Sequence, residues 1–179
     1  MQRLEHASRN VILHLFLIRT TVDTYMPVFA LIALVAYSVS LALIIPGLLQ
    51  KNSGWRRMAI LSAVIALISH AFALEARILP GDGSGQNLSL LNVGSLVSLM
   101  ICTVMTIVAS KNRGWLLLPI VYAFALFNLA FATFVPNEFI THLETTPGMM
   151  VHIGLSLFSY ATLIIAALYA LQLAWIDYQ

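Results

Sequence analysis

Charged residues are scarce in this chain, and their scarcity excludes a soluble domain. Of its 179 residues, 9% are charged and 60% are hydrophobic, whereas about 25% are charged in typical soluble domains. Too few polar side chains are present to cover a surface in water. Neither a basic patch for nucleic acid nor a glycine-rich phosphate loop is apparent. The sequence therefore predicts an all-α, polytopic membrane protein surrounded by the lipid bilayer.

Cysteine and catalytic pairs are scarce as well. The single cysteine, Cys102, excludes a disulfide within the chain, and the absence of a C-x-x-C-H motif excludes a c-type cytochrome. No nucleophile–base pair and no pair of carboxylates lies within the apolar stretches. The sequence therefore predicts a protein that is not an enzyme.

Long apolar stretches dominate what is present. Five of them are long enough to cross a bilayer, at about 20 residues per crossing. They run about 27–49, 58–79, 89–110, 115–135 and 148–174. An odd number of spans that ends flush at Gln179 predicts a piece of a longer protein.

The loops between the spans alternate in charge. The basic residues of the first and third loops are Lys51, Arg56, Arg57, Lys111 and Arg113. The second and fourth loops lack Lys and Arg, and their acidic residues are Asp82, Glu138 and Glu144. Basic loops stay in the cytoplasm. The first span is thus expected to start outside, and the end of this chain near Asp177 to lie inside.

Residues 1–25 conflict with that orientation. They carry Arg3, Arg9 and Arg19, and their apolar run from Val11 to Ile18 is too short to span. Two interpretations fit: an interfacial helix, or a natural protein that begins at Met26. Either way, we expect the transmembrane domain to occupy residues 26–179.

A histidine lies near the start of the last apolar run. The stretch 148–175 contains His152 and no charged residue, and ionisable groups within membranes are costly and usually functional. Ser156, Ser159 and Tyr160 share its side of a helix with 3.6 residues per turn. Such a polar face is expected to point into a bundle. Imidazole is a common ligand of metals and haem iron.

His70 and Arg77 lie in the second span. His70 is nine residues before Leu79, which places it roughly 14 Å deep. It is either a metal ligand or a core histidine bonded to a neighbouring carbonyl. Arg77 lies at the membrane surface, where it suits an anionic group such as a propionate or a lipid phosphate, or simply snorkels.

Other side chains in the spans have structural explanations. A stripe of small and polar residues in the third span indicates close helix packing and comprises Asn92, Ser95, Cys102 and Thr106. The three tryptophans are expected to anchor the chain at the membrane interface and are Trp55, Trp115 and Trp175.

The residues from His152 onward also resemble a family motif. His152-Ile153, Leu157, Ser159-Tyr160-Ala161 and Leu163 resemble the H-V…L-S-Y-A-x-L helix of the cytochrome c assembly family, the CcsA, CcmC and HemX group of haem-handling membrane proteins. Arg77, Gly85, Asn92 and Ser95-Leu96 resemble its R…G…P-L-x-N-x-x-E-S-L segment, and Val135-Pro136 also fits. One bacterial inner-membrane member resembles residues 26–179 throughout, which implies a start at Met26.

The resemblance implies haem as cofactor. His152 matches a histidine that is an axial ligand of haem iron near the outer membrane face. His70 resembles a second-helix histidine of HemX-like members and is the less certain ligand. With Arg77, Ser156 and Tyr160, these residues form the expected cofactor site. Haem-handling or cytochrome-handling membrane proteins are the implied partners.

Three departures from the family pattern limit this implication. The tryptophan-rich W-G-x-x-W-x-W-D loop is absent. The proline and glutamate of the family segment are replaced by Leu88 or Ser89 and by Gly94. Members of the family have about eight spans, each of the ~20 residues that a crossing requires. The later helices, which would supply a second histidine, are therefore missing here. The chain is thus expected to hold half of a haem site.

Two other functions remain open from the sequence. A transporter or accessory subunit without cofactor would use His70, Glu75 and Arg77 as a polar path and would contain a helix broken in mid-span. A structural scaffold would use every polar residue for packing. That scaffold would tolerate His70→Leu and His152→Leu with little loss of stability or activity.

Overall fold

The computed structural model describes residues 28–49, 53–79, 85–111, 114–143 and 146–178. The domain boundary predicted at residue 26 and the predicted extension 1–25 lie outside these ranges. The helices within them are α1 (Val28–Leu49), α2 (Ser53–Ile78), α3 (Leu90–Ser110), α4 (Leu118–Phe134) and α5 (Pro147–Tyr178). Two short strands accompany them, β1 (Gln86–Asn87) and β2 (Ile140–Thr141).

The five helices coincide with the five predicted spans, and the all-α membrane fold is confirmed. α1, α2, α3 and α5 are long and apolar enough to cross a membrane, while α4 is apolar but 17 residues long. The predicted fourth span begins too early, because residues 115–117 form a turn in which the Leu117 N–H donates to the Gly114 carbonyl. Pro119 in the first helical turn then starts α4.

Small side chains let the helices approach closely. α3 packs against α2, α4 and α5, and its buried face contains Ser95, Ser98 and Cys102. α1 is joined to α2 by two hydroxyls, since Ser40 donates to the Ala59 carbonyl at 3.0 Å and Ser62 donates to the Ala36 carbonyl at 2.8 Å. The predicted stripe of the third span is therefore a packing surface, as expected.

One end of the bundle is held together by the loops around β1 and β2. The strands pair antiparallel, with Gln86 opposite Thr141 and Asn87 opposite Ile140. Side chains extend the pairing, because the Asn87 Oδ1 accepts from the Phe139 N–H at 3.0 Å and Ser89 bonds to Asn137. We call this assembly, residues 85–89 with 137–143, the loop clamp. It joins the segment after α2 to the segment after α4.

α5 is the least embedded helix. Its buried residues are Ala161 and Ile165, with Leu168 and Tyr169 partly buried beside them. Within the described ranges, the side-chain hydrogen bonds of Ser156, Ser159 and Thr162 all return to carbonyls of α5 itself. Apolar packing on α3 therefore holds this helix in place.

Candidate functional site

His152 lies in the second turn of α5 with its imidazole exposed. Among the described residues, its ring has no hydrogen-bond partner, while its backbone carbonyl accepts from the Ser156 hydroxyl at 2.8 Å. Tyr160, two turns further along, is 61% exposed. The imidazole nitrogens of His152 are thus free to bind a ligand that approaches this side of the helix.

The polar face of α5 lies opposite its packed face. At 100° per residue, the direction of His152, Ser156 and Ser159 is roughly 180° from that of Ala161, Ile165 and Leu168. The expectation that the polar face points into the bundle is therefore wrong for the described part of the chain. The physical reason is that α5 contacts α3 through small and aliphatic side chains, which pack more closely than a face of His and Tyr.

His70 occupies a different environment, fully buried between helices. Its Nδ1 pairs with the Tyr37 hydroxyl of α1 at 3.2 Å, and its Nε2 pairs with the Ser95 hydroxyl of α3 at 2.8 Å. Hydroxyls can donate or accept, so a neutral imidazole is satisfied in either tautomer. Iron ligation by His70 would require one of these two hydrogen bonds to be exchanged.

The contacts of His70 continue across the core. The Tyr37 ring lies edge-on to His70 with centroids 5.9 Å apart, and 5.8 Å from the Tyr122 ring of α4. Tyr122 in turn bonds to Thr106 at 2.7 Å. We call His70, Ser95, Tyr37, Tyr122 and Thr106 the core polar chain; it links α1, α2, α3 and α4.

Arg77 lies in the last turn of α2 and faces a cleft. Its Nη2 donates to the Thr133 carbonyl of α4 at 3.1 Å. The cleft has a volume of about 540 Å³ and is lined by Arg77 and residues 133–138. Glu138 contributes a carboxylate to the same lining. Arg77 is thus half-buried and held in place rather than extended freely into solvent.

The structure separates the predicted site residues into three places. Within the described ranges, no hydrogen bond or ring contact joins His152 to His70 or Arg77. Ser156 and Tyr160 share the exposed face of His152. The described residues also contain no group of three or more His, Cys, Asp or Glu side chains placed to hold a metal ion.

Several residues in the segment that resembles the family's R…G…P-L-x-N-x-x-E-S-L pattern stabilise the fold. Gly85 has φ +97°, and a Cβ there would lie 2.5 Å from the Thr141 carbonyl oxygen. Ser89 caps α3 by accepting from the Asn92 N–H. Sequence reasoning missed this clamp, and the signals that pointed to it were Gly85 and the Ser89-x-x-Asn92 spacing.

Trp115 also differs from its predicted role as an interface anchor. It is 7% exposed, and the Arg56 guanidinium lies over its ring, 5.1 Å from the centroid. The prediction was wrong for Trp115 because the turn before α4 folds the indole inward. Trp55 and Trp175 are exposed as expected.

Comparison with known proteins places the chain among relatives. The family model described as cytochrome C assembly protein matches residues 58–179. The inner membrane protein YpjD of Escherichia coli K12 is 89% identical over 154 residues, which are 86% of this chain and 59% of that protein. The same protein from E. coli O6:H1 and from E. coli O157:H7 matches equally well.

The chain spans about three fifths of the length of these relatives. No solved structure matches it. The apolar helices and the relatives' name together support a multi-pass protein of the inner membrane. Since the family model covers most of the sequence, the chain belongs to the cytochrome c assembly protein family.

Proposed function

We propose that this chain is part of an inner-membrane protein that binds haem or passes it on, with His152 supplying one axial ligand to the iron. The observation that carries the proposal is the exposed imidazole of His152, which has no hydrogen-bond partner among the described residues and lies on a polar face opposite the packed face of α5. Family membership supports the same conclusion.

The residues around His152 fit one side of a haem. Bound haem would supply an iron that an imidazole nitrogen can ligate. The Ser156 hydroxyl is already bonded to the His152 carbonyl, which leaves the imidazole without a competitor. Tyr160 offers an aromatic ring and a hydroxyl on the same side. The chain thus binds and orients the cofactor, and we expect it to catalyse no reaction itself.

His70 and Arg77 have subordinate roles in the proposal. His70 remains the second, less certain candidate for the iron, since its nitrogens are engaged by Tyr37 and Ser95. Arg77 is proposed to pair with an anionic group, such as a propionate, at the cleft beside Glu138. Helices beyond this chain would have to supply whatever completes the coordination.

The orientation proposed for the protein follows from its charges. The basic loops lie in the cytoplasm, the loop clamp lies outside, and the end of α5 near Asp177 lies inside. His152 is then near the outer surface, where proteins that handle haem or cytochromes outside the membrane are the proposed partners.

The decisive experiment is a haem titration of the full-length natural protein. We expect the purified protein to show a Soret band after haem addition, and His152→Ala to lose most of it or shift it, because one axial ligand is removed. His142→Ala is the matched control, since it removes an imidazole from the loop clamp and should leave the spectrum unchanged.

Identical spectra for the wild type and His152→Ala would contradict the assignment. A transporter without cofactor would give no Soret band in any variant. Within the described helices no break in mid-span appears, and Pro46 and Pro119 lie near helix ends. A structural scaffold predicts instead that His70→Leu costs little stability.

A further inference from the structure

The cleft beside Arg77 lies where the apolar part of the bundle ends at the loop clamp. Its lining consists of Arg77, in the last turn of α2, and residues 133–138, which span the end of α4 and the segment after it. The cleft has a volume of about 540 Å³. Phe134 and Val135 are exposed on its rim, so acyl chains can pack beside it. We therefore expect the cleft to open at the level of the lipid headgroups.

Arg77 is held at the wall of the cleft with most of its donors unused. Its Nη2 donates to the Thr133 carbonyl at 3.1 Å, which is the one hydrogen bond that Arg77 makes among the described residues. A guanidinium carries five N–H donors in a planar fork. The half-buried side chain can therefore present two parallel donors to a phosphate.

Glu138 adds a negative charge to the same lining. Its side chain is exposed, and within the described ranges it forms no ion pair with Arg77. Two opposite charges thus border one cleft without contacting each other. A ligand that carries both a negative and a positive group matches such a cleft, because complementary charges favour one partner in one orientation.

We propose that the cleft binds the zwitterionic headgroup of phosphatidylethanolamine. The phosphate would accept hydrogen bonds from the Arg77 guanidinium, and the primary ammonium would donate to the Glu138 carboxylate. Phosphatidylcholine fits less well, since its trimethylammonium has no N–H to donate. A lipid is favoured over a free zwitterion because the exposed Phe134 and Val135 offer apolar contacts to acyl chains.

A lipid in the cleft would occupy Arg77 in the haem-free protein, which goes beyond the role of Arg77 in haem binding. Arg77 would then exchange the lipid phosphate for a propionate when haem binds. Lipid binding is measured without haem, whereas the Soret titration concerns His152. Either result can therefore fail while the other holds.

The test is lipid binding by the full-length natural protein, purified without haem in a neutral detergent and measured by native mass spectrometry. We expect phosphatidylethanolamine to bind about fivefold more tightly than phosphatidylcholine or phosphatidylglycerol. Arg77→Gln should weaken the binding of phosphatidylethanolamine and phosphatidylglycerol about tenfold, the effect of losing one charge-assisted hydrogen bond. Glu138→Gln should weaken phosphatidylethanolamine binding about fivefold, the upper value for an exposed ion pair, and leave phosphatidylglycerol binding unchanged.

Glu75→Gln is the matched control, because Glu75 is an exposed carboxylate of α2 outside the cleft lining. It should change lipid binding less than about twofold. Equal losses in Glu75→Gln and Glu138→Gln would overturn the proposal in favour of a diffuse charge effect. Equal binding of the three lipids would overturn it as well.

Two further measurements test the ammonium partner and the kind of ligand. Asp82 follows α2 in the sequence and lies outside the described residues. If Asp82→Asn abolishes the preference for phosphatidylethanolamine and Glu138→Gln does not, the role given to Glu138 is wrong. Displacement of the lipid by an equal concentration of free phosphoethanolamine would overturn the assignment to a lipid in favour of a soluble zwitterion.

Discussion

The imidazole of His70 contacts two other helices at once. It bonds to Tyr37 of α1 and Ser95 of α3 from a fully buried position in α2. His152 has the same side chain in an equally apolar run, yet it is exposed and has no such bonds among the described residues. The two histidines thus belong to different classes: one fixes helices relative to one another, and the other is available to a ligand.

Replacing His70 by leucine should destabilise the protein by about 2–4 kcal/mol, because the Tyr37 and Ser95 hydroxyls would each lose a buried partner. Thermal unfolding in detergent measures the effect. Ser38→Ala is the control, since the Ser38 hydroxyl is exposed and bonds to the Leu34 carbonyl of its own helix. The scaffold hypothesis is supported, and our interpretation of His70 is wrong, if His70→Leu unfolds at the wild-type temperature.

The loop clamp and helix α5 are held to the rest of the bundle by different kinds of contact. The clamp is held by backbone pairing and by side chains such as Asn87, which accepts from the Phe139 N–H and from the Ser89 N–H. α5 is attached through Ala161, Ile165 and their partly buried neighbours. Polar contacts therefore define one end of the bundle, and apolar packing positions the helix of the candidate ligand.

Gly85→Ala tests the clamp. The substitution should cost about 1–3 kcal/mol, because alanine is strained at φ +97° and its Cβ would meet the Thr141 carbonyl. Gly148→Ala, in the first turn of α5 with nothing within 4 Å of the added Cβ, should be neutral or slightly stabilising. Thermal unfolding and amide hydrogen exchange at residues 86–88 and 139–141 report the difference. Equal exchange in the two variants would contradict the role given to the clamp.

A helix or strand can be predicted from the sequence only when it produces a recognisable pattern of residues. Spans leave long apolar runs, so all five helices were predicted. The environments of His70 and His152 could not be told apart, because a helix that is apolar on all sides lacks the contrast that marks a buried face. β1 and β2 are two residues each, too short for an alternating pattern to show.

Across the whole molecule, the exposed charges of the loops differ in sign between the two ends. The loop-clamp end carries Glu138, and the opposite end carries Arg57 and Lys111, all with exposed side chains. Cys102, the one cysteine, is fully buried. This arrangement makes the proposed orientation directly measurable, because a new exposed cysteine would be the accessible thiol.

Glu138→Cys should react with a maleimide that does not cross the inner membrane, since this position is proposed to lie outside. The reagent is added to cells whose outer membrane is permeabilised and whose inner membrane is intact. Arg57→Cys should react only after the inner membrane is opened. The wild-type protein, with Cys102 alone, serves as the background control. Labelling of Arg57→Cys but not Glu138→Cys in intact cells would reverse the orientation and move His152 to the cytoplasmic side.

The core polar chain links α1, α2, α3 and α4. This linkage affects the order in which the helices assemble. These four helices precede α5 in the chain, and their side chains form the hydrogen bonds that fix their mutual register. α5 follows with no side-chain hydrogen bond to them among the described residues and with two buried residues, Ala161 and Ile165, so we expect it to dock last and to be released at the lowest free-energy cost. The helix that carries His152 is therefore the part of the described bundle that adjusts most readily when another helix or a cofactor approaches.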